Sequence, residues 1–197
     1  MSQTIDIVSL YPKDMNIYGD SGNVLTIQRR LALYGYEPHV HAYNQGDAWP
    51  EHVDMILGGG GQDTGQKKII DDFFKRADLL RSLAADGTPM LMICGLYQLF
   101  GEYFETVDGS RLDGIGNNGE DHTEGARVNN VIGTYMHGSL LPKNPALADF
   151  LIRTAVERRY GSFDPVAAGQ TQAQRAELDS INTIAGNARR VAMSRPR

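Results

Sequence analysis

Short β-branched runs alternating with helix-like segments constrain this chain more than any other feature. Ile5-Asp6-Ile7-Val8-Ser9-Leu10 reads as a first strand, and Pro12 and Asn16 mark a polar turn after it. From Gly22 onward, Val24, Leu25, Ile27, Leu31 and Leu33 mingle with Gln28, Arg29 and Arg30 in a helix-compatible pattern that Gly35 stops. The same reading gives strands over residues 37–43, 53–57 and 89–93 and a helix over 69–85. Such alternation predicts an α/β fold: a parallel sheet between helices on both faces, hence three layers. Sheets of this kind form their sites beyond the carboxyl ends of the strands.

Two glycine-rich turns and the one cysteine of the chain fall at those ends. Cys94 follows the apolar Met90-Leu91-Met92-Ile93 and opens Cys94-Gly95-Leu96-Tyr97-Gln98, a strand, a sharp turn and a helix start. A helix N-terminus favours a thiolate, and its free N–H groups can receive an oxyanion. Gly58-Gly59-Gly60-Gly61 directly follows Met55-Ile56-Leu57. Four glycines permit close backbone approach and N–H donation to an anion, but the run matches no standard phosphate loop. It reads as a surface turn on its own and as an oxyanion loop beside a nucleophile.

A thiol nucleophile needs a base, and there are five histidines. His39 and His41 share a face of one strand, where a metal pair and half-exposed strand histidines are both possible readings. His52 and His122 sit in polar loops. His137 follows the strand-like Val131-Ile132-Gly133-Thr134-Tyr135-Met136 and precedes Gly138, so it too lies at a strand end.

Composition bounds the rest. With 197 residues, 41% of them hydrophobic, the chain can bury a core without a disulfide or metal staple. One cysteine allows no intramolecular disulfide, which suits a reducing cytoplasm. No apolar run approaches a membrane span, and Asp6 and the lack of a basic start argue against a signal peptide. The net charge of −5 argues against a general nucleic-acid binder.

Cys94-Gly95-x-Tyr97-Gln98 after an apolar strand, the glycine loop, and Gly133-Thr134-Tyr135-Met136-His137-Gly138 resemble class I glutamine amidotransferases of the cobyric acid synthase type. Tyr11-Pro12-Lys13-Asp14-Met15-Asn16-Ile17-Tyr18-Gly19-Asp20-Ser21-Gly22-Asn23, Asn117-Asn118-Gly119-Glu120-Asp121 and the run from His137 to Pro145 are similar to glutaminase subunits of lipid II isoglutaminyl synthases. The resemblance covers most of residues 1–161. It implies a flavodoxin-like amidotransferase domain over residues 1–165 followed by a helical tail over 166–197.

The resemblance further implies that Cys94 attacks the side-chain amide of L-glutamine and that His137 is the acid–base. Gly95 and a glycine of the loop, best Gly60, would donate to the oxyanion, and Gln98 would contact the bound glutamine; no metal is implied in this chain. Ammonia would pass to a Mur-ligase-like synthetase subunit, which forms a heterodimer with this chain, holds ATP and magnesium, and amidates D-glutamate of lipid II to D-isoglutamine. The competing expectations are an amidotransferase for corrin-ring amidation and a non-catalytic binding or regulatory subunit.

Three departures from the family pattern bear on this. Ser139 stands where many relatives carry a glutamate, so a third triad member has to come from elsewhere, as from the partner. Leu96 replaces a glycine. A stretch of several strands between Gly116 and Asn117 is missing, and with it an arginine that would help hold glutamine. After it, residues 148–157 read as an amphipathic helix and residues 170–197 as a solvated terminal helix with Leu178, Ile181 and Ile184 at helical spacing.

Overall fold

The computed structural model describes residues 3–105, 109, 111–116 and 124–195. In chain order the elements are β1 (Thr4–Leu10), α1 (Ser21–Leu33), β2 (Glu37–Tyr43), β3 (Met55–Gly58), α2 (Asp63–Lys75), α3 (Ala77–Ala85), β4 (Met90–Ile93), α4 (Gly95–Phe100), β5 (Tyr103–Glu105), β6 (Arg111–Asp113), β7 (Ala126–Val128), β8 (Val131–Thr134), α5 (Leu140–Lys143), α6 (Pro145–Tyr160) and α7 (Gln172–Met193). Among the described residues the main sheet has the order β2-β1-β3-β4-β8-β7, parallel except for β7, and β5 and β6 form a separate antiparallel pair. This is the expected layered α/β fold.

The layers follow from the two-residue period of the strands. Ile5, Ile7, Met55, Leu57, Leu91 and Ile93 point to one face, where Val24, Ile27 and Leu31 of α1, with α5 and α6, cover them. Their neighbours Val8, Leu10, Ile56, Met90 and Met92 point to the other, under Ile69 and Phe73 of α2, Leu80 of α3 and Leu96 and Leu99 of α4. The central strands β1, β3 and β4 are buried on both faces, so they read as continuous apolar runs, whereas the edge strands β2 and β7 are more exposed.

The helix expected over 69–85 is two helices. It starts earlier, at Asp63, and breaks at Arg76, whose N–H is shared between Asp72 O and Phe73 O and whose Nε donates to Tyr43 Oη at 2.8 Å. A contact from a distant strand thus interrupts an otherwise helical pattern. The helix expected over 148–157 extends in both directions as α6, with Pro145 in its first turn and the left-handed Gly161, φ 82°, at its end.

The terminal helix α7 opens with a reciprocal capping box between Thr171 and Gln174. It lies along α1 and α5 with Leu178 and Ala185 buried, while Ile184 faces solvent. Gln170 Nε2 donates to Leu33 O at 2.8 Å and Gln174 Nε2 to Ala32 O at 2.9 Å, tying its start to the end of α1. The Asn117 to Asp121 motif, His122 and the shortened junction after Gly116 lie outside the described residues. No helix among the described residues is long and apolar enough to cross a membrane.

Candidate active site

Cys94 stands between β4 and α4 at φ 48°, ψ −106°, a conformation that strains any residue with a side chain. The turn is held from both sides: Cys94 N–H donates to Thr134 O at 2.9 Å, and Gln98 N–H donates to Cys94 O at 2.9 Å. Its thiol is half-buried. Burial pushes the thiol pKa up; Gly95 N–H, donating to the sulfur, opposes this, and the Asp20 carboxylate adds to the rise. This direction runs against the expected thiolate, because desolvation and a neighbouring acid together outweigh the Gly95 N–H.

The glycine loop after β3 is not a surface turn: Gly58, Gly59 and Gly60 are buried. A methyl group at Gly60 would lie 3.1 Å from Cys94 Cβ, 3.4 Å from Asp20 Oδ2 and 3.5 Å from His137 Cε1, so the four residues converge on one point. Gly59 is glycine for another reason, since a Cβ there would meet Met15 O at 2.1 Å. Leu96 is fully buried and fills the space left at Gly58, whose Cβ would lie 2.5 Å from Leu96 Cδ1.

His137 reaches this point because β8 pairs in parallel with β4, Ile93 opposite Thr134. Glu124 Oε1 anchors the strand end by accepting from Thr134 Oγ1 at 2.7 Å and Tyr135 N–H at 2.6 Å. Beyond His137, Gly138 at φ 67° and Ser139 at φ 25° turn the chain back, and Ser139 Oγ donates to Gly19 O at 2.9 Å. The exposed His137 ring packs against Tyr18, with centroids 4.1 Å apart. His39 and His41 are not brought here: both face Asp6 Oδ1, at 3.8 Å and 2.8 Å. Among the described residues no cluster of metal-ligating side chains occurs.

Gln98 lies on the first turn of α4, and its position is imposed by a residue that sequence reasoning passed over. The fully buried Gln66 donates from Nε2 to Gln98 Oε1 at 2.8 Å and to Gly95 O at 2.9 Å. Gln98 also hydrogen-bonds Tyr135, whose hydroxyl pKa is raised by burial. Gln98, Tyr135, Tyr97 and Gly133 form part of the wall of a cavity of about 570 Å³. Gly133 admits Tyr97 there, for a Cβ would come within 2.0 Å of that ring.

Asp20 is the other residue missed. An Asp followed by Ser-Gly-Asn before a helix signals an N-cap, yet Asp20 makes no side-chain bond to its own helix. Its Oδ2 instead accepts from Gly60 N–H at 2.8 Å. Burial raises its carboxyl pKa, opposed by the Gly60 N–H, by His137 and by its own backbone N–H. The rest of the motif is also used: Asn23 Oδ1 accepts from Leu141 N–H at 2.9 Å, and a Cβ at Gly22 would collide with Ser139 Oγ at 2.0 Å.

The family model of the CobB/CobQ-like glutamine amidotransferase domain matches residues 6–117, more than half of the chain. The chain is 26% identical over 224 residues to the lipid II isoglutaminyl synthase (glutamine-hydrolyzing) subunit GatD of Staphylococcus aureus (strain N315), covering 85% of this chain and 92% of that protein. It is 27% identical over 214 residues to the subunit of the same name from Streptococcus pneumoniae (strain ATCC BAA-255 / R6), covering 80% and 82%. Both alignments are longer than the 197 residues of this chain, so these relatives carry residues that it lacks. A solved glutamine amidotransferase from Thermotoga maritima aligns at 13% identity and TM-score 0.45, covering 90% of this chain and 94% of its own. The chain belongs to the CobB/CobQ-like glutamine amidotransferase domain family.

Proposed function

We propose that this chain is the glutaminase half of a lipid II amidating synthase. The observation that carries the reading is the meeting of Cys94 and His137 beside Gly60 at adjacent strand ends, 3.1 Å and 3.5 Å from where a Cβ on Gly60 would lie. Cys94 Sγ attacks the side-chain carbonyl carbon of L-glutamine as His137 takes the thiol proton. Gly95 N–H and Gly60 N–H receive the oxyanion, and Gln98 orients the substrate. Collapse breaks the C–N bond, the nitrogen takes the proton from His137 and leaves as ammonia, and a γ-glutamyl thioester remains. Water activated by His137 then releases glutamate and restores the thiol.

Ammonia passes to a Mur-ligase-like partner subunit that holds ATP and magnesium and converts the α-carboxylate of D-glutamate in lipid II to the amide. The relatives named as subunits of such a synthase support this assignment. Residues 1–165 are the amidotransferase domain and 166–197 an appended helical tail. The site of action is the cytoplasm, where a lone thiol stays reduced.

The experiment is release of ammonia from glutamine by the purified chain and by its complex with the partner ligase. Activity is expected in the complex and weak or absent in the chain alone, because Ser139 supplies no carboxylate to orient the histidine. Cys94→Ser is expected to abolish both turnover and covalent labelling by a glutamine-mimicking electrophile. Inactivity of the native chain in both settings would replace this reading with a non-catalytic subunit.

A further inference from the structure

The Gly60 N–H that the oxyanion requires is already taken. Asp20 Oδ2 accepts it at 2.8 Å, and the carbonyl of Gly60, in the next peptide group, accepts from Ile17 N–H of the same segment at 3.1 Å. One amide proton cannot serve a carboxylate and a developing oxyanion at full strength, and two anions in one buried pocket repel. We infer that Asp20 is an autoinhibitory plug of the oxyanion site, and that the site opens only when the segment of residues 16–20 withdraws the carboxylate from Gly60. The inference rests on the assignment of Gly60 as an oxyanion donor under the function proposed above.

Three further observations support a removable plug over a permanent structural bond. Asp20 is 5% exposed and its Oδ1 has no hydrogen-bond partner, so the carboxylate is only half satisfied where it sits. A residue type suited to capping α1 makes no side-chain bond to that helix, so its carboxylate is committed to Gly60 and not to the helix it precedes. The segment that holds it is the one that packs on His137: Tyr18 lies against the imidazole, Gly19 at φ 77° takes the Ser139 hydroxyl bond, and Ile17 and Tyr18 are exposed. A single displacement of residues 16–20 therefore frees the donor and releases the histidine from Tyr18 together.

The test compares two alkylations of Cys94 in the full chain. Diazo-oxo-norleucine, a diazoketone analogue of glutamine, forms a C–S bond as its diazo carbon gains the proton given up by the thiol and dinitrogen leaves, with its carbonyl oxygen seated at the oxyanion donors. Iodoacetamide forms a C–S bond with loss of iodide and needs no oxyanion donor. The ratio of the two rates isolates the donor from general thiol reactivity. Asp20→Ser keeps a capping residue at the start of α1 but is too short to reach Gly60, and is expected to raise the ratio on the order of 10-fold, the bias of one charge-assisted hydrogen bond. Asp20→Asn removes the charge but keeps an acceptor oxygen of the same reach, and is expected to raise the ratio by only about 3-fold, because a neutral hydrogen bond is about half as strong as a charge-assisted one. Asp20→Ala takes the place of the serine variant if that one does not fold.

A ratio that is unchanged or lower in a folded serine or alanine variant overturns the plug. An equal rise in the asparagine variant overturns it as well, assigning the effect to charge alone. Absence of diazo-oxo-norleucine labelling in the native chain, the variants and the partner complex, with iodoacetamide still reacting, removes the glutaminase reading itself and the plug with it.

Discussion

Backbone strain at Cys94 is matched at two other side-chain-bearing residues around the site, Tyr11 at φ 52° and Ser139 at φ 25°. Each such residue costs about 1–3 kcal/mol and persists because its surroundings fix it. At Cys94 the fixing groups are Thr134 O and the first turn of α4, so the strained turn and the strand that delivers His137 share one hydrogen bond. Replacing His137 by Ala should lower glutamine turnover of the partner complex by about 10²-fold or more, the effect of losing a general acid–base. His39→Ala and His41→Ala should leave turnover nearly unchanged, because both rings face Asp6. Steady-state ammonia release checks all three, and an equal loss at His39 or His41 would move the base elsewhere.

Among the elements, α1 is the hub that joins the sheet to the C-terminal helices. Arg30, 2% exposed, donates from Nε and Nη2 to Asp149 on α6 at 2.6–2.8 Å and from Nη1 to Asn182 on α7 at 2.9 Å. Arg30→Ala removes the shared cation and strands the partners, with an expected loss of about 3–5 kcal/mol in the free energy of urea unfolding. A loss below about 1 kcal/mol would show that the triad is a surface pair in effect. The elements themselves were largely legible: β1, α1 and β2 stand close to where periodicity and Gly35 put them. The break at Arg76 was not, because it depends on Tyr43, which lies more than thirty residues earlier in the chain. The same holds in the candidate site, where the convergence of Cys94, His137 and Gly60 follows from their strand-end positions. Asp20 and Gln66 were not legible, since an N-cap acid and a helix-surface amide look ordinary until folding brings Gly60 and Gln98 beside them.

Across the whole molecule, one acid cluster fastens the edge strand to the centre and to α6. Asp6 accepts from His41 Nε2 at 2.8 Å and from Arg159 Nη1 at 2.6 Å, and Arg159 also holds Asp54. Burial pulls the Asp6 pKa up, but the His41 and Arg159 hydrogen bonds and charges outweigh it and leave the carboxyl below its usual value. A depressed carboxyl contributes stability that is complete above the unfolded-state pKa, about 3.9, and is lost as pH falls through the lower folded-state value. Unfolding midpoints should therefore drop on acidification below about pH 4, and Asp6→Asn should flatten that limb of the profile. An unaltered acid limb in a folded variant would remove Asp6 from the linkage.

The pairing of β4 with β8 acts as a caliper. The ladder places Ile93 beside Thr134, one and three residues before Cys94 and His137, whatever chain lies between them. Because that separation is set by interstrand spacing, the length of the crossover is free to drift, and each doubling of a flexible loop costs only about 0.6 kcal/mol. Evolution can therefore cut or splice between Gly116 and Asn117 without moving the thiol relative to the imidazole. What such editing changes is the wall around them, so the same two reactive groups can be handed down unchanged while the company they keep is rewritten.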